Sequence, residues 1–354
     1  MSISYDGTGF VGWQKQEPPA GGVAPLESAP GLDAPDGRVA LRSVQAVVER
    51  AVREAVRQPV VVIGASRTDS GVHARCQTAA FTTQENFTDA GRRIGPADDR
   101  LKDAINARLP EDVLVTSCVP ADPLFDPIKD CVCKGYRYSV RTGRDRPLWE
   151  RGRVWHVRSG LDVEAMDRAA RAMVGTFDFT SFAAAGHGRE SAVRTLATAR
   201  VTSEPVEDGA TIVRIDVAAD GFLWNMVRII AGTLVEVGRG AAPPEDIPAI
   251  VAAKDRSRAG PTAPAHGLCL MWGVYPGDPP PPAGGIDPAW LSERERRALE
   301  RRAERAKEPR ASASGPSDQE SRASASGLPA SSLPWPAPSF SPDPSPNPAP
   351  DPAP

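Results

Sequence analysis

The sequence is poor in several things, and each shortage closes off a class of protein. No run of about 18 apolar residues occurs, so no segment reads as a transmembrane helix and no membrane partner is expected. The opening residues MSISYDGTGF show no basic stretch followed by an apolar one, so no secretory signal is expected. Cysteine is scarce and odd in number: Cys76, Cys118, Cys131, Cys133 and Cys269. Their spacing suits neither a disulfide framework nor a zinc site, which points to a reducing, cytoplasmic compartment. His73 has no His or Cys at metal-ligand spacing, so no metal role is read there. An excess of positive charge is also missing. With a net charge of −3, any nucleic-acid binding has to come from a local basic face.

Proline is abundant but uneven, with 18 of the 37 prolines in Gly277–Pro354. That segment reads as a disordered tail rich in Pro, Ala and Ser, because it cannot bury enough apolar surface to fold alone. Within it, Asp287–Lys307 carries dense Glu and Arg pairs and reads as a solvated helix. The foldable chain is therefore Met1–Pro276, long enough for a sizeable core. Glu17–Val39, rich in Pro, Gly and Ala, reads as an inserted loop.

Periodicity supplies the elements. Ser43 caps a helix with apolar residues at Val44, Val47, Val48, Ala51, Val52, Ala55 and Val56. Val163–Val174 has the same spacing, and Phe222–Val237 reads as a long apolar-faced helix. Arg100–Leu109 is a helix that stops at Pro110. Val60–Ile63 reads as a buried strand, followed by strands near Thr78–Phe81 and over Val113–Val119, Lys134–Val140, Thr211–Val217 and Leu268–Tyr275. Paired strands with a helix between them, seen twice, predict an α+β fold with mostly antiparallel sheet. Phe177, Phe179 and Phe182 have core spacing.

The segment with most chemistry is Gly64-Ala65-Ser66-Arg67-Thr68-Asp69-Ser70-Gly71-Val72-His73-Ala74, a loop of small residues after a strand with an adjacent Arg and Asp. Alone it reads equally as a structural turn. Other segments recur around it: Tyr5-Asp6-Gly7-Thr8-Gly9-Phe10-Val11-Gly12-Trp13-Gln14, Lys134-Gly135-Tyr136-Arg137-Tyr138, Val193-Arg194-Thr195, Asp220-Gly221-Phe222-Leu223-Trp224-Asn225-Met226-Val227-Arg228 and Ala259-Gly260-Pro261-Thr262-Ala263-Pro264. This set, in this order, resembles the TruA family of tRNA pseudouridine synthases over Met1–Pro276.

The resemblance implies an isomerase that turns uridine into pseudouridine in the anticodon stem-loop of tRNA, at positions 38, 39 and 40. It implies two related ferredoxin-like halves, 1–140 (the catalytic half) and 141–276, whose antiparallel sheets join side by side around a basic central cleft. It also implies a homodimer. By the family's pattern Asp69 is the catalytic nucleophile, and Arg228 is the arginine that pairs with it. Tyr136 stacks on the target uracil, and Arg67 helps hold the flipped base. The reaction breaks the bond from ribose C1′ to N1 and joins C1′ to C5, without redox change, so no cofactor or metal is required. Attack of the carboxylate on C1′, removal of a proton from C2′ and addition to C6 all remain open.

Arg75, Lys129, Lys134, Arg137, Arg141, Arg144 and Arg146 are the candidate phosphate contacts. Departures from the family pattern are a start with only Met1–Ser4 before the Tyr-Asp-Gly turn, which implies a trimmed edge strand or a different start, Ser66 in place of a glycine, and Phe125-Asp126-Pro127-Ile128 without the usual arginine. A tRNA-binding or folding module without catalysis is the alternative reading, with loss of product in Asp69→Ala as the discriminator.

Overall fold

The protein is described by a computed structural model that covers residues 1–18, 38–84, 88–89, 92–93, 96–184, 191–206, 209–281 and 286–307. Most of the expected insertion at 17–39, and all of 308–354, lie outside the described residues.

The first strand, β1 (Ser2–Tyr5), is short but central to its end of the sheet. It pairs antiparallel with β3 (His73–Ala80) on one side and β6 (Val113–Ser117) on the other. The trimmed edge strand expected from the sequence is thus an inner strand. Its backbone groups are paired on both sides, and the terminal ammonium of Met1 donates to Ala79 O at 2.8 Å. Helix α1 (Val44–Val56) begins where its pattern predicts. Ser43 accepts the Ala46 N–H at 3.3 Å, and the whole apolar stripe is buried in the main core. Burying each such valine contributes roughly 1.5–3 kcal/mol relative to exposure.

Val60–Ile63 is not a buried run. Val60 and Val62 face the core while Val61 and Ile63 face solvent, and β2 is only Ile63–Gly64, paired with β3. A four-residue apolar string here covers one wet face. Two short strands, β4 (Thr88–Asp89) and β5 (Arg92–Arg93), form a separate pair. Helix α2 (Leu101–Asn106) is shorter than expected: Arg100 belongs to a preceding 3-10 turn, and the helix gives way to a turn over 107–109.

The second part of the chain supplies β7 (Cys133–Thr142), β8 (Trp155–Val157), α3 (Val163–Arg171), β9 (Gly175–Asp178), β10 (Val193–Pro205), β11 (Thr211–Ala219), α4 (Met226–Gly238), α5 (Ile247–Ala253) and β12 (Leu268–Val274). Among the described residues one ten-stranded sheet runs β6-β1-β3-β12-β7-β11-β10-β9, with β2 on β3 and β8 on β7. Pairing is antiparallel except between β3 and β12 and between β7 and β8. The result is the mixed α+β architecture that the pattern predicts. Phe179 and Phe182 are fully buried, but Phe177 keeps an exposed flank on β9 and is not core.

Helix α6 (Pro288–Lys307) corrects the reading of the tail. It is docked on the protein instead of solvated. Leu291 and Ala298, seven residues apart, are buried with Val132, Cys133, Ala218 and Val274. Arg302 and Arg305 reach Asp130, whose side chain is fully buried. The compact unit therefore includes Lys307, beyond the boundary expected at 276.

Candidate active site

Two loops and one helix end meet around Asp69. The Gly64–Val72 loop is fixed from several sides. Trp13 N–H donates to Thr68 O at 3.0 Å, Tyr5 Oη bonds Thr68 Oγ1 at 2.8 Å, and Gly71 N–H donates to Phe10 O at 3.3 Å. Gly12 permits this approach: its φ is +112°, and a side-chain carbon there would lie 2.7 Å from Thr68 O. On the other flank Gln77 bonds both backbone groups of Ser66, and Lys134 Nζ donates to Ala65 O at 2.7 Å and Ser66 Oγ at 3.0 Å. Lys134, expected to meet phosphate, is thus a brace for the loop that carries Asp69.

The start of α4 supplies the cation. Arg228 Nη1 donates to Asp69 Oδ2 at 3.2 Å and to Asn225 Oδ1 at 2.8 Å, while its Nε donates to Ala263 O at 2.8 Å. Three oxygens hold one guanidinium, so its planar fork is oriented before substrate arrives. Asn225 sits in the left-handed region at φ 59°, a conformation that asparagine tolerates better than most residues. It delays the helix to Met226, later than the predicted Phe222, and leaves Phe222 beside Tyr136 and Trp224 beside Asp69, while Leu223 between them is buried in the core. The 259–264 segment closes behind Arg228. Gly232 leaves room for it, since a side-chain carbon there would lie 1.8 Å from Pro261 O.

Trp224 is the residue that sequence reasoning missed. Its indole Nε1–H donates to Asp69 Oδ1 at 3.2 Å, and the ring is 51% exposed, so it offers a face as well as a donor. Both oxygens of Asp69 thereby have a donor, and one of these bonds is charge-assisted. The one available signal was the Asn beside it, a residue type suited to a left-handed turn before a helix.

Tyr136 lies beneath this pair on β7, only 8% exposed, with its ring edge-on to Phe222 at 5.1 Å. Burial pushes its phenol well above the ordinary tyrosine value; the Asp69 charge adds to this, and a hydrogen bond with Ser66 opposes it. Tyr136 is therefore a neutral phenol at neutral pH. Tyr138 is fully buried and its hydroxyl is committed to Pro264 O at 2.7 Å. Arg67 is exposed and forms no ion pair among the described residues, so the structure does not bring it to the Asp69–Arg228 pair.

Of the other expected phosphate contacts, Arg137 is taken by Asp216 in a two-pronged pair at 2.7 and 3.0 Å, and Arg141 is buried. Lys129 lies 3.7 Å from Asp126, whereas Arg75, Arg144 and Arg146 are exposed. His73 is held by backbone: Gly7 N–H donates to Nδ1 at 3.0 Å, and Nε2 lies 2.8 Å from Gly152 O. Among the described residues no cluster of three or more His, Cys, Asp or Glu side chains could hold a metal ion, and no helix is long and apolar enough to cross a membrane.

Comparison with known proteins places the chain in a family. A family model described as tRNA pseudouridine synthase matches residues 169–276. The chain is 38% identical over 275 residues to tRNA pseudouridine synthase A of Acetivibrio thermocellus, covering 78% of this chain and 98% of that protein. It is 39% identical over 275 residues to the protein of that name from Syntrophotalea carbinolica, covering 78% and 95%. It is 36% identical over 273 residues to tRNA pseudouridine synthase A 2 of Clostridium tetani, covering 76% and 95%. The chain belongs to the TruA family of tRNA pseudouridine synthases, and is an isomerase of that class.

Proposed function

We propose that the protein isomerises uridines 38, 39 and 40 in the anticodon stem-loop of tRNA, with Asp69 as the nucleophile. The observation that carries this reading is the Asp69–Arg228 pair at 3.2 Å, formed by residues 159 apart in sequence at an accessible rim. The target uridine leaves its stack to reach Asp69. The C1′–N1 bond breaks, its electron pair stays with the base, and Asp69 shares the developing positive charge at C1′ or bonds to it. The base turns and C5 joins C1′ with the base's electron pair, any bond from Asp69 to C1′ breaking as its pair returns to the carboxylate. The proton on C5 then leaves and N1 gains one, so the product is an isomer of the substrate. Arg228 holds the carboxylate in place, and Tyr136 packs against the base and helps the proton leave C5. Arg67, exposed one residue before Thr68, contacts the extruded nucleotide.

The reading includes two related ferredoxin-like halves, 1–140 and 141–276, flanking a basic cleft, with the join inside β7. It also includes a homodimer acting in the cytoplasm. The test is carbodiimide primer extension on unmodified tRNA transcripts after treatment with the full-length protein. Stops at 38, 39 and 40, absent from transcripts carrying cytidine there, are expected. Stops confined to other uridines would refute the assignment of position.

A further inference from the structure

The segment between β7 and β8 has a charge unlike the rest of the chain. Arg141–Arg158 holds six arginines against Asp145 and Glu150, a balance of +4 in a protein of net charge −3. At its tip, Leu148 is 61% and Trp149 90% exposed. A tryptophan left this far in water forgoes most of the burial that its large ring could have gained.

This projection is firmly footed. Gly143 N–H donates to Val157 O at 3.2 Å, and His156 Nε2 lies 2.8 Å from Gly143 O. At the far foot, Gly152 O meets His73 Nε2 at 2.8 Å, and Arg153 Nη2 donates to Asp6 Oδ2 at 2.9 Å. Asp6 and His73 belong to the turn and strand that flank the Asp69 loop. The foot that follows the tip is thus attached beside the loop that carries Asp69. Arg144, Arg146 and Arg151 are exposed and have no carboxylate partner among the described residues.

We propose that Trp149, with Arg144, Arg146 and Arg151 around it, is an RNA-contact surface in which the indole stacks on an unpaired base of the substrate tRNA and the guanidiniums take flanking phosphates. The inference rests on the tRNA substrate of the proposed function and adds a binding element outside the Asp69 site. An RNA fits this chemistry better than a protein does. Protein interfaces are depleted of charge at their centres, whereas unpaired arginines beside an exposed aromatic match a strand of bases and phosphates. Stacking is indifferent to base identity and arginine serves phosphates of any sequence, so the patch adds affinity more than selectivity.

The test measures filter binding of unmodified tRNA transcript to the full-length wild type, Trp149→Phe and Trp149→Ala over a salt series, with oligomeric state by sedimentation. Loss of one stacked base weakens binding by about 5- to 160-fold in Trp149→Ala, while Trp149→Phe keeps most of the affinity. Removing Arg144, Arg146 and Arg151 together lowers the slope of log Kd against log salt by about 2, at roughly 0.7 per phosphate on a single strand. Unchanged affinity in Trp149→Ala, or an unchanged salt slope in the triple variant, overturns the inference. So does a shift of Trp149→Ala from dimer to monomer, which would assign the patch to a second copy of the chain. Pseudouridine formation by wild type in the same preparations keeps the two questions apart: its absence counts against the proposed function, and its presence with unaltered binding counts against this surface alone.

Discussion

Replacing Arg302 and Arg305 together by alanine separates docking of α6 from its mere presence. Asp130 has no exposed side-chain surface, and its carboxylate is met by Arg302 Nη2 at 2.9 Å, Arg305 Nη2 at 2.5 Å and the Asp126 N–H at 3.0 Å. Burial alone would raise the pKa of Asp130. The Asp126 N–H and the two guanidiniums outweigh it and hold the pKa below the ordinary carboxylate value. In wild type this group therefore adds stability that is complete above its unfolded pKa, near 3.8, and is lost as the pH falls through the lowered folded value. Without the arginines burial dominates and the folded pKa rises above the unfolded one, so the variant loses stability as the pH climbs past the ordinary range. Breaking such a pair costs about 3–5 kcal/mol at pH 7. At about 2 °C per kcal/mol in a chain of this size, melting falls by about 6–10 °C. The gap to wild type narrows toward pH 4, and adding Asp130→Asn to the double variant restores part of the loss. Thermal melts at pH 7 and pH 4 read all three. An equal gap at both pH values, or none at either, would refute the assignment of a buried, arginine-held carboxylate.

Trp224→Phe keeps the ring but removes the N–H donated to Asp69. Because the indole is half exposed, the lost bond is worth only about 1 kcal/mol, and single-turnover pseudouridine formation slows about fivefold. An unchanged rate would leave the indole as a passive neighbour. Gly232→Val puts a branched side chain into the space occupied by Pro261 O and displaces Ala263 from Arg228. Overpacking costs about 1–3 kcal/mol, and both melting temperature and product formation fall. A variant that melts like wild type would contradict that packing.

What the sequence made legible follows from how local each signal is. Helices α1 and α3 and strands β7 and β11 carry clean periodicities, and each appears near its predicted bounds. Strand β10 went unread over its thirteen residues because VRTLATARVTSEP mixes Thr, Ala and Arg, and its outer end is exposed on both faces. The docking of α6 was hidden for a related reason. Its buried face is only Leu291 and Ala298, and the arginines that anchor it find their carboxylate some 172 and 175 positions away. The pairing of Asp69 with Arg228 has no local pattern at all. It was reached through family resemblance, and the geometry then gave it partners. Lys134 and Arg137 show the limit of composition: a basic residue near a site is as readily a brace as a phosphate contact, and only the acceptors around it decide which.

The central claim, that Asp69 performs the chemistry and does not merely hold the loop, is tested most directly by substituting it. Asp69→Ala is compared with wild type for tRNA affinity and for pseudouridine under single turnover with protein in excess. The account predicts tRNA binding within about threefold of wild type and no detectable product, a loss far beyond the roughly 1–3 kcal/mol of an ordinary broken hydrogen bond. Product formed by Asp69→Ala at a rate near wild type would contradict it, and would assign the chemistry to other residues of the protein.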